Sequence, residues 1–543
     1  MVWIWTLAGL ALRFWKIGCG LPYVFYTDEG RYTYLALNMG GGDLNPHFFL
    51  HPSLYLYLCF LADVASIAGG VAAGIFKVPG EAWQPYRRDP TVFFIIARGV
   101  SAVLGSLTIP LTYFAGKKVW DRNVGLLGAF FLTFSFLHVQ YSQIGNMDTS
   151  LTFFVMLAFV LALLAYERGE LRYFVLSGLA CGLAASTKYQ GYETLMWGPV
   201  ACVLLAVRQG SYPVRELFGK KHLLFLACFL AGFTVGTPYW ILGFGEFKRD
   251  FLWNWSYYKA FGKGQLGYEG NWNWWYYLTG PLAYGLGQPL EWAGIAGLVF
   301  LLVRSTANRL LFAVFPVIYF IVAGFSRIRT SRYMIPEIPF LCLAAAYLLV
   351  SVFLRQKAET KKTVPVGLWL TGLLIAAPSL LSCLRYDYLR MQTDTRVLAG
   401  DWVRSHLPAS GQFLQTGYAS LSRSVPGYRM EPLDATVFNT QVQNVSSLRK
   451  LEEYRKAGFQ YLILDEWHVG LVFEGGKVDP KYKETVRQYR DFLADLDVSA
   501  KLLVSFSPYR KGEGTFDSEN VEVASRSLWQ MKCFGPMLRV YRL

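Results

Sequence analysis

Long apolar runs separated by short polar stretches fill the first 385 residues. They fall at about 2–18, 94–116, 124–139, 150–166, 173–187, 194–207, 223–241, 281–302, 310–325, 338–354 and 365–384. These eleven segments approach the roughly 20 residues a helix needs to cross a bilayer, and they predict a polytopic α-helical membrane domain over 1–385. Several are short, so their helices extend into flanking polar residues or lie inside the bundle. Leu54 to Phe76 is also apolar, but Asp63 and Gly69-Gly70 interrupt it. It is expected as an interfacial helix in the first outer loop, not a twelfth span.

Beyond residue 386 charge rises and the apolar runs shorten to strand length, as in Phe459-Gln460-Tyr461-Leu462-Ile463-Leu464. Val397, Leu398, Trp402 and Val403 recur at helical spacing between Asp394 and Leu407. A soluble α/β domain is expected over 386–543.

Composition agrees with this division. Of 543 residues, 54% are hydrophobic and only 16% charged, which is not the balance of a soluble protein. The net charge of +15 is scattered in clusters between apolar runs, a pattern that fits a membrane surface and not nucleic acid. Six of the eight cysteines lie within apolar runs, and no CxxC occurs. Alternate loops carry Lys117-Lys118 with Arg122, Arg168 with Arg172, Arg208 through Lys221, Arg304 with Arg309, and Arg355 through Lys362. The positive-inside rule puts these loops and the N-terminus in the cytoplasm. The loops at 19–93, 140–149, 187–193, 242–280 and 326–337, and the C-terminal domain, then face outward. With no organelle retention signal visible, a plasma membrane location is expected.

Candidate chemistry gathers on the outer loops. Asp28-Glu29-Gly30-Arg31-Tyr32 follows the first span, and His51-Pro52-Ser53-Leu54-Tyr55 follows it in the same loop. On a helix beginning near Asp28, Arg31 is placed to pair with that carboxylate. The competing reading is an N-cap aspartate with a helix-dipole glutamate. Asp148 lies just before the fourth span, where a helix N-cap is again the simpler reading of that residue alone. Lys188, Arg327, Arg329 and Arg332 add cations on the same face, although the positive-inside rule disfavours arginines there. An anionic phosphate would hold them, and so would anionic lipid headgroups or acids of the soluble domain. An interface belt is the default reading of the tryptophans and tyrosines of 243–279, and stacking on a sugar or packing on a lipid tail is the functional one.

These residues, in this order, resemble the lipid-dependent glycosyltransferases of the GT-C fold, in the branch of the protein O-mannosyltransferases and the lipid A aminoarabinose transferase. The resemblance rests on Asp28-Glu29-Gly30-Arg31-Tyr32, His51-Pro52-Ser53-Leu54-Tyr55 and Ala97-Arg98, and on Asp148, Lys188 and Arg332-Tyr333 followed by Pro336 and Pro339. Ser53 departs from the family's second proline, and Leu50 stands where the aminoarabinose enzymes carry a metal-binding glutamate. No cofactor is therefore assigned, and a divalent metal is left open.

The resemblance implies inverting transfer of a sugar from a polyprenyl-phosphate donor to an acceptor hydroxyl on a lipid, glycan or protein at the outer face. Asp28 would act as base, and Asp148 would orient acceptor or sugar or share in a metal site. Lys188 and Arg332, with Arg329 or Arg327, would stabilise the leaving phosphate. Glu29, Arg31, Tyr32 and His51 would support the site or touch substrate. The rival readings are a lipid or lipid-sugar transporter and a non-catalytic subunit of the same fold. A transporter tends to carry internal repeats and charges deep within spans, whereas the charges here collect at span ends.

Overall fold

The computed structural model describes residues 1–82, 89–260, 273–304, 306–326, 330–355, 366–421, 425–433, 448–473, 483–511 and 526–543. All eleven apolar runs are helical. In chain order the main helices are α1 (Val2–Phe14), α2 (Thr27–Asn38), α3 (Leu54–Ala72), α4 (Thr91–Val119), α5 (Arg122–Thr133), α6 (Phe136–Ser142), α7 (Met147–Arg168) and α8 (Leu171–Thr187). There follow α9 (Trp197–Gln209), α10 (Lys220–Gly236), α11 (Phe244–Ala260), α12 (Trp274–Leu286), α13 (Gln288–Val303), α14 (Ala307–Phe325), α15 (Ile338–Arg355) and α16 (Val366–Leu389). Among the described residues, seven helices are long and apolar enough to cross a membrane, or nine if two bent pairs each count as one span.

The structure corrects two expectations. The run at 124–139 is two helices, α5 and α6, bent by 58°. The carbonyls of Leu132 and Thr133 at that break accept from the Arg13 guanidinium, which also meets His138 Nδ1 at 2.9 Å. Arg13 is fully buried, so its charge is satisfied by carbonyl dipoles that the break frees. The run at 281–302 begins inside α12, which meets α13 at 116° through Gly287. Gly287 sits at φ +77°, a conformation other residues avoid. The run at 54–76, expected as an interfacial helix and not a span, forms α3 through Asp63 and Gly69-Gly70 to Ala72, and α3 is among the seven helices long and apolar enough to cross a membrane.

Backbones approach most closely where glycines face them. A Cβ on Gly178, Gly182 or Gly232 would overlap the Phe225, Phe229 or Leu179 carbonyl oxygen, respectively. These contacts lock α8 against α10 by the small-residue packing common between membrane helices. Gly297 does the same for α13 against the Ala344 carbonyl of α15. Both locked helices border the candidate site: α8 ends at Lys188 and α15 follows Arg332.

The C-terminal part is a five-stranded mixed sheet of β1 (Gln412–Gln415), β2 (Arg429–Pro432), β3 (Tyr461–Asp465), β4 (Lys501–Phe506) and β5 (Leu538–Arg542), in the order β2-β1-β3-β5-β4. Strands β2, β1 and β3 run parallel, while β5 is antiparallel to both β3 and β4. Side chains alternate across it as strand geometry requires. Phe413, Ile463 and Val540 pack with Ala399 and Val403 of α17 (Thr395–His406). Leu414, Leu462 and Tyr541 pack on the other face with Tyr454, Phe492 and Leu496. Asp394 caps α17 by accepting from the Arg396 N–H, as the helical spacing there suggested.

Candidate active site

The first turn of α2 splits its two adjacent acids between two environments, because successive helical positions point about 100° apart. Glu29 turns inward and is fully buried. Arg98 of α4 binds it through two contacts, Nε to Oε1 at 2.6 Å and Nη2 to Oε2 at 2.8 Å. The Gly145 N–H donates to Oε1 at 2.8 Å. Arg98 Nη1 also donates to the Ile17 and Cys19 carbonyls. This buried fork fixes α2 to α4, to the chain leaving α1 and to the turn before α7.

Asp28 turns the other way and meets Arg332 Nη1 at 2.6 Å. The expected Asp28–Arg31 pair is not formed. Arg31 instead lies over the Phe48 ring, 5.5 Å from its centroid. Neither acid is an N-cap, because Tyr26 occupies that position without a side-chain cap bond. Asp148 is not a cap either. Asn146 caps α7 by accepting from the Asp148 N–H, which leaves the Asp148 carboxylate for Lys188 Nζ at 2.5 Å. Both of these side chains are almost wholly buried.

The two ion pairs are joined. The Tyr26 hydroxyl accepts from Arg332 Nη1 at 3.3 Å and from Asn146 Nδ2 at 3.0 Å. Lys188 Nζ lies 4.7 Å from the centre of the Tyr333 ring, next in sequence to Arg332. Lys188 and Arg332 thus approach from separate short 3₁₀ segments, Tyr189–Met196 just after Lys188 and Ser331–Glu337. Gly191 permits the first of these to fold back, since a Cβ there would overlap the Ala184 backbone.

Tyr32 is buried, and His51 packs against its ring edge with centroids 6.0 Å apart. Burial, and then the charges of Lys188 and Arg332, push the His51 pKa down to about 3. His51 is therefore a neutral hydrogen-bonding group beside the cations. Burial also opposes a charge on Asp28, but the Arg332 guanidinium outweighs it and holds that carboxyl below the usual range. Ser53, at the position of the family's second proline, uses the N–H that proline lacks, donating to Thr237 Oγ1 at 3.2 Å. Thr237 in turn meets Ser186 Oγ at 2.6 Å, close to Lys188.

The structure thus brings together Asp28, Asp148, Lys188, Arg332, Tyr32 and His51, with Glu29 behind them. Arg327 and Arg329 lie outside the described residues. Sequence reasoning missed Tyr26 as the bridge and Arg98 as the partner of Glu29. The buried acid next to Asp28 was the signal for Arg98, because a carboxylate at that depth requires a cation. Among the described residues no three His, Cys, Asp or Glu side chains gather as metal ligands.

Residues 3–243 match the model of the dolichyl-phosphate-mannose-protein mannosyltransferase family. The archaeal oligosaccharyltransferase AglB from Archaeoglobus fulgidus, solved with an inhibitory peptide and a dolichol-phosphate, superposes with a TM-score of 0.53 at 13% identity. That superposition covers 88% of this chain and 70% of AglB. The chain has the GT-C fold. A second GT-C structure, ArnT from Cupriavidus metallidurans in the apo state, aligns over 100% of this chain and 98% of its own at 14% identity, with a TM-score of 0.48. Dolichyl-phosphate-mannose-protein mannosyltransferase 1 of Saccharomyces cerevisiae is 28% identical over 201 residues, which are 35% of this chain. This chain spans only 23% of that yeast enzyme.

Proposed function

We propose that this protein is an inverting glycosyltransferase that moves a sugar from a polyprenyl-phosphate donor to an acceptor hydroxyl. The observation that carries the proposal is the pairing of two acids with two cations, Asp28 with Arg332 and Asp148 with Lys188, joined through Tyr26. Transfer needs a base for the attacking hydroxyl and positive charge for the departing phosphate. Asp28, one-third exposed, accepts the acceptor's proton as the new C1–O bond forms. The bond from C1 to the phosphate oxygen breaks, and its electron pair leaves with the polyprenyl phosphate. Arg332 and Lys188 receive that charge. Asp148 holds Lys188 and orients it, and His51 offers the sugar or phosphate a neutral hydrogen bond.

The remaining assignments rest on the same reading. Residues 1–385 form the catalytic membrane domain and 386–543 a soluble domain on the outer face, with the N-terminus in the cytoplasm and α3 at the interface. The membrane is the plasma membrane, and the acceptor is a lipid, glycan or protein. A lipid-borne donor suits such a site, because it needs no soluble nucleotide sugar outside the cytoplasm.

The test is transfer of radiolabelled sugar from a panel of polyprenyl-phosphate donors in membranes holding wild type, Asp28→Asn or Asp148→Asn. Asp28→Asn at normal abundance is expected to lose ~10²–10⁴-fold in rate. Wild-type activity in Asp28→Asn would remove it as the base. A wild type inert toward the whole panel, with acceptors supplied, would turn the question to transport.

A further inference from the structure

The base and the phosphate cation of the proposed site are bound to each other. Arg332 Nη1 donates to Asp28 Oδ2 at 2.6 Å, and the same nitrogen donates to Tyr26. A guanidinium engaged in this way neutralises the carboxylate and lowers its affinity for a proton. The remaining charged or titratable neighbours do not replace it. Arg31 is turned onto Phe48, His51 is neutral, and Tyr32 is buried and uncharged. Lys188 is held by Asp148. The carboxylate that must take a proton is thus quenched by the cation that must take a phosphate.

Resting on the glycosyltransferase reading, we propose that the donor arms the base: its phosphate draws Arg332 away from Asp28, which becomes proton-accepting only in the donor-bound site. Donor phosphate and Asp28 compete for one guanidinium, so binding the first restores the basicity of the second. An acceptor arriving first meets a masked carboxylate and keeps its proton. Donor therefore binds productively before acceptor. The atoms balance, because the acceptor's proton goes to Asp28, the sugar to the acceptor oxygen and the electron pair to the polyprenyl phosphate.

The test uses undecaprenyl phosphate, which has no sugar to transfer, bound to the full-length protein in lipid nanodiscs. Asp28→Asn removes the competitor for Arg332 and is expected to bind the probe roughly tenfold more tightly, the scale of one charge-assisted contact. Unchanged or weaker binding overturns the arming. A second readout needs no variant. In wild type, carbodiimide labelling of Asp28, followed by peptide mass spectrometry, is expected to rise severalfold when the probe is added, and labelling that stays flat overturns the arming as well. If Asp28→Asn still transfers sugar as wild type does, the base assignment fails instead, and the two failures are told apart.

Discussion

Two regions meet at the first turn of α2, one closed and one open. On the inner side Glu29 is sealed in a fork with Arg98 and the Gly145 N–H. On the outer side Asp28 has a side chain 34% exposed, and its partner Arg332 is 18% exposed. The residues are chemically similar and adjacent, and helix geometry alone sends them to these different places. A buried charge pair is costly to break, because the survivor is left without water or partner. A partly hydrated pair can exchange partners at little cost. Structure is anchored on the first side, and chemistry is available on the second.

The largest expected effect tests the sealed side. Glu29→Ala leaves the Arg98 guanidinium buried without its carboxylate and should cost about 3–5 kcal/mol of stability. That cost would appear as a sharp drop in the thermal midpoint of purified protein. Adding Arg98→Met should recover part of the loss, since an apolar replacement removes the orphaned charge. Asp28→Ala should leave the midpoint near wild type. Equal losses from Glu29→Ala and Asp28→Ala would dissolve the distinction between the two sides.

A smaller effect is expected at the bridge. Tyr26→Phe removes the oxygen that accepts from both Arg332 and Asn146, leaving both ion pairs intact but no longer tied. Loss of one such bond is worth about 1 kcal/mol, so transfer should fall roughly fivefold with little change in thermal midpoint. If the rate is unchanged, the two pairs act independently, and the open side is two sites instead of one.

The sequence made much of this arrangement readable. All eleven apolar runs fell on helices, because each approaches the length and composition that a bilayer demands, whereas the more polar α2 and α11 lie outside them. Asp148 and Lys188 were visible as ionisable groups at span ends, and burial has paired them with each other. The pairing of Asp28 was misread because helical spacing makes Arg31 its near neighbour, whereas Arg332 is 304 residues away in the chain. Local periodicity carries no information about a contact of that range. The bend between α5 and α6 was hidden for a related reason. The cation that answers its freed carbonyls is Arg13, on another helix, and residues 124–139 by themselves read as one continuous run. Ser53 looked like a simple departure from the family's proline until its N–H was seen to bind Thr237.

The smallest effect sharpens the comparison from the solvent side. Where α11 lies against the segment between α2 and α3, exposed His47 contacts Asp43 through Nε2 at 2.9 Å and Glu246 through Nδ1 at 2.8 Å. Beside it the Phe49 N–H donates to Asp250, and Asn254 to the Leu50 carbonyl. Only an imidazolium can donate from both nitrogens, and the two carboxylates, Asp43 first, raise the His47 pKa. A pKa raised on folding gives a contribution that is complete below the ordinary histidine value of about 6.5 and disappears as pH climbs through the raised value. Asp43 has the opposite sign. Its pKa is lowered by His47 and then by the Asn45 N–H, and its contribution is lost only on strong acidification. The protection of the Phe49 amide against hydrogen exchange, corrected for intrinsic rate, should therefore decrease as pH rises above neutrality. His47→Gln should abolish that dependence while leaving the Glu29 fork and the thermal midpoint unchanged. If wild-type protection is flat across this range, the His47 contacts do not hold α11 in place.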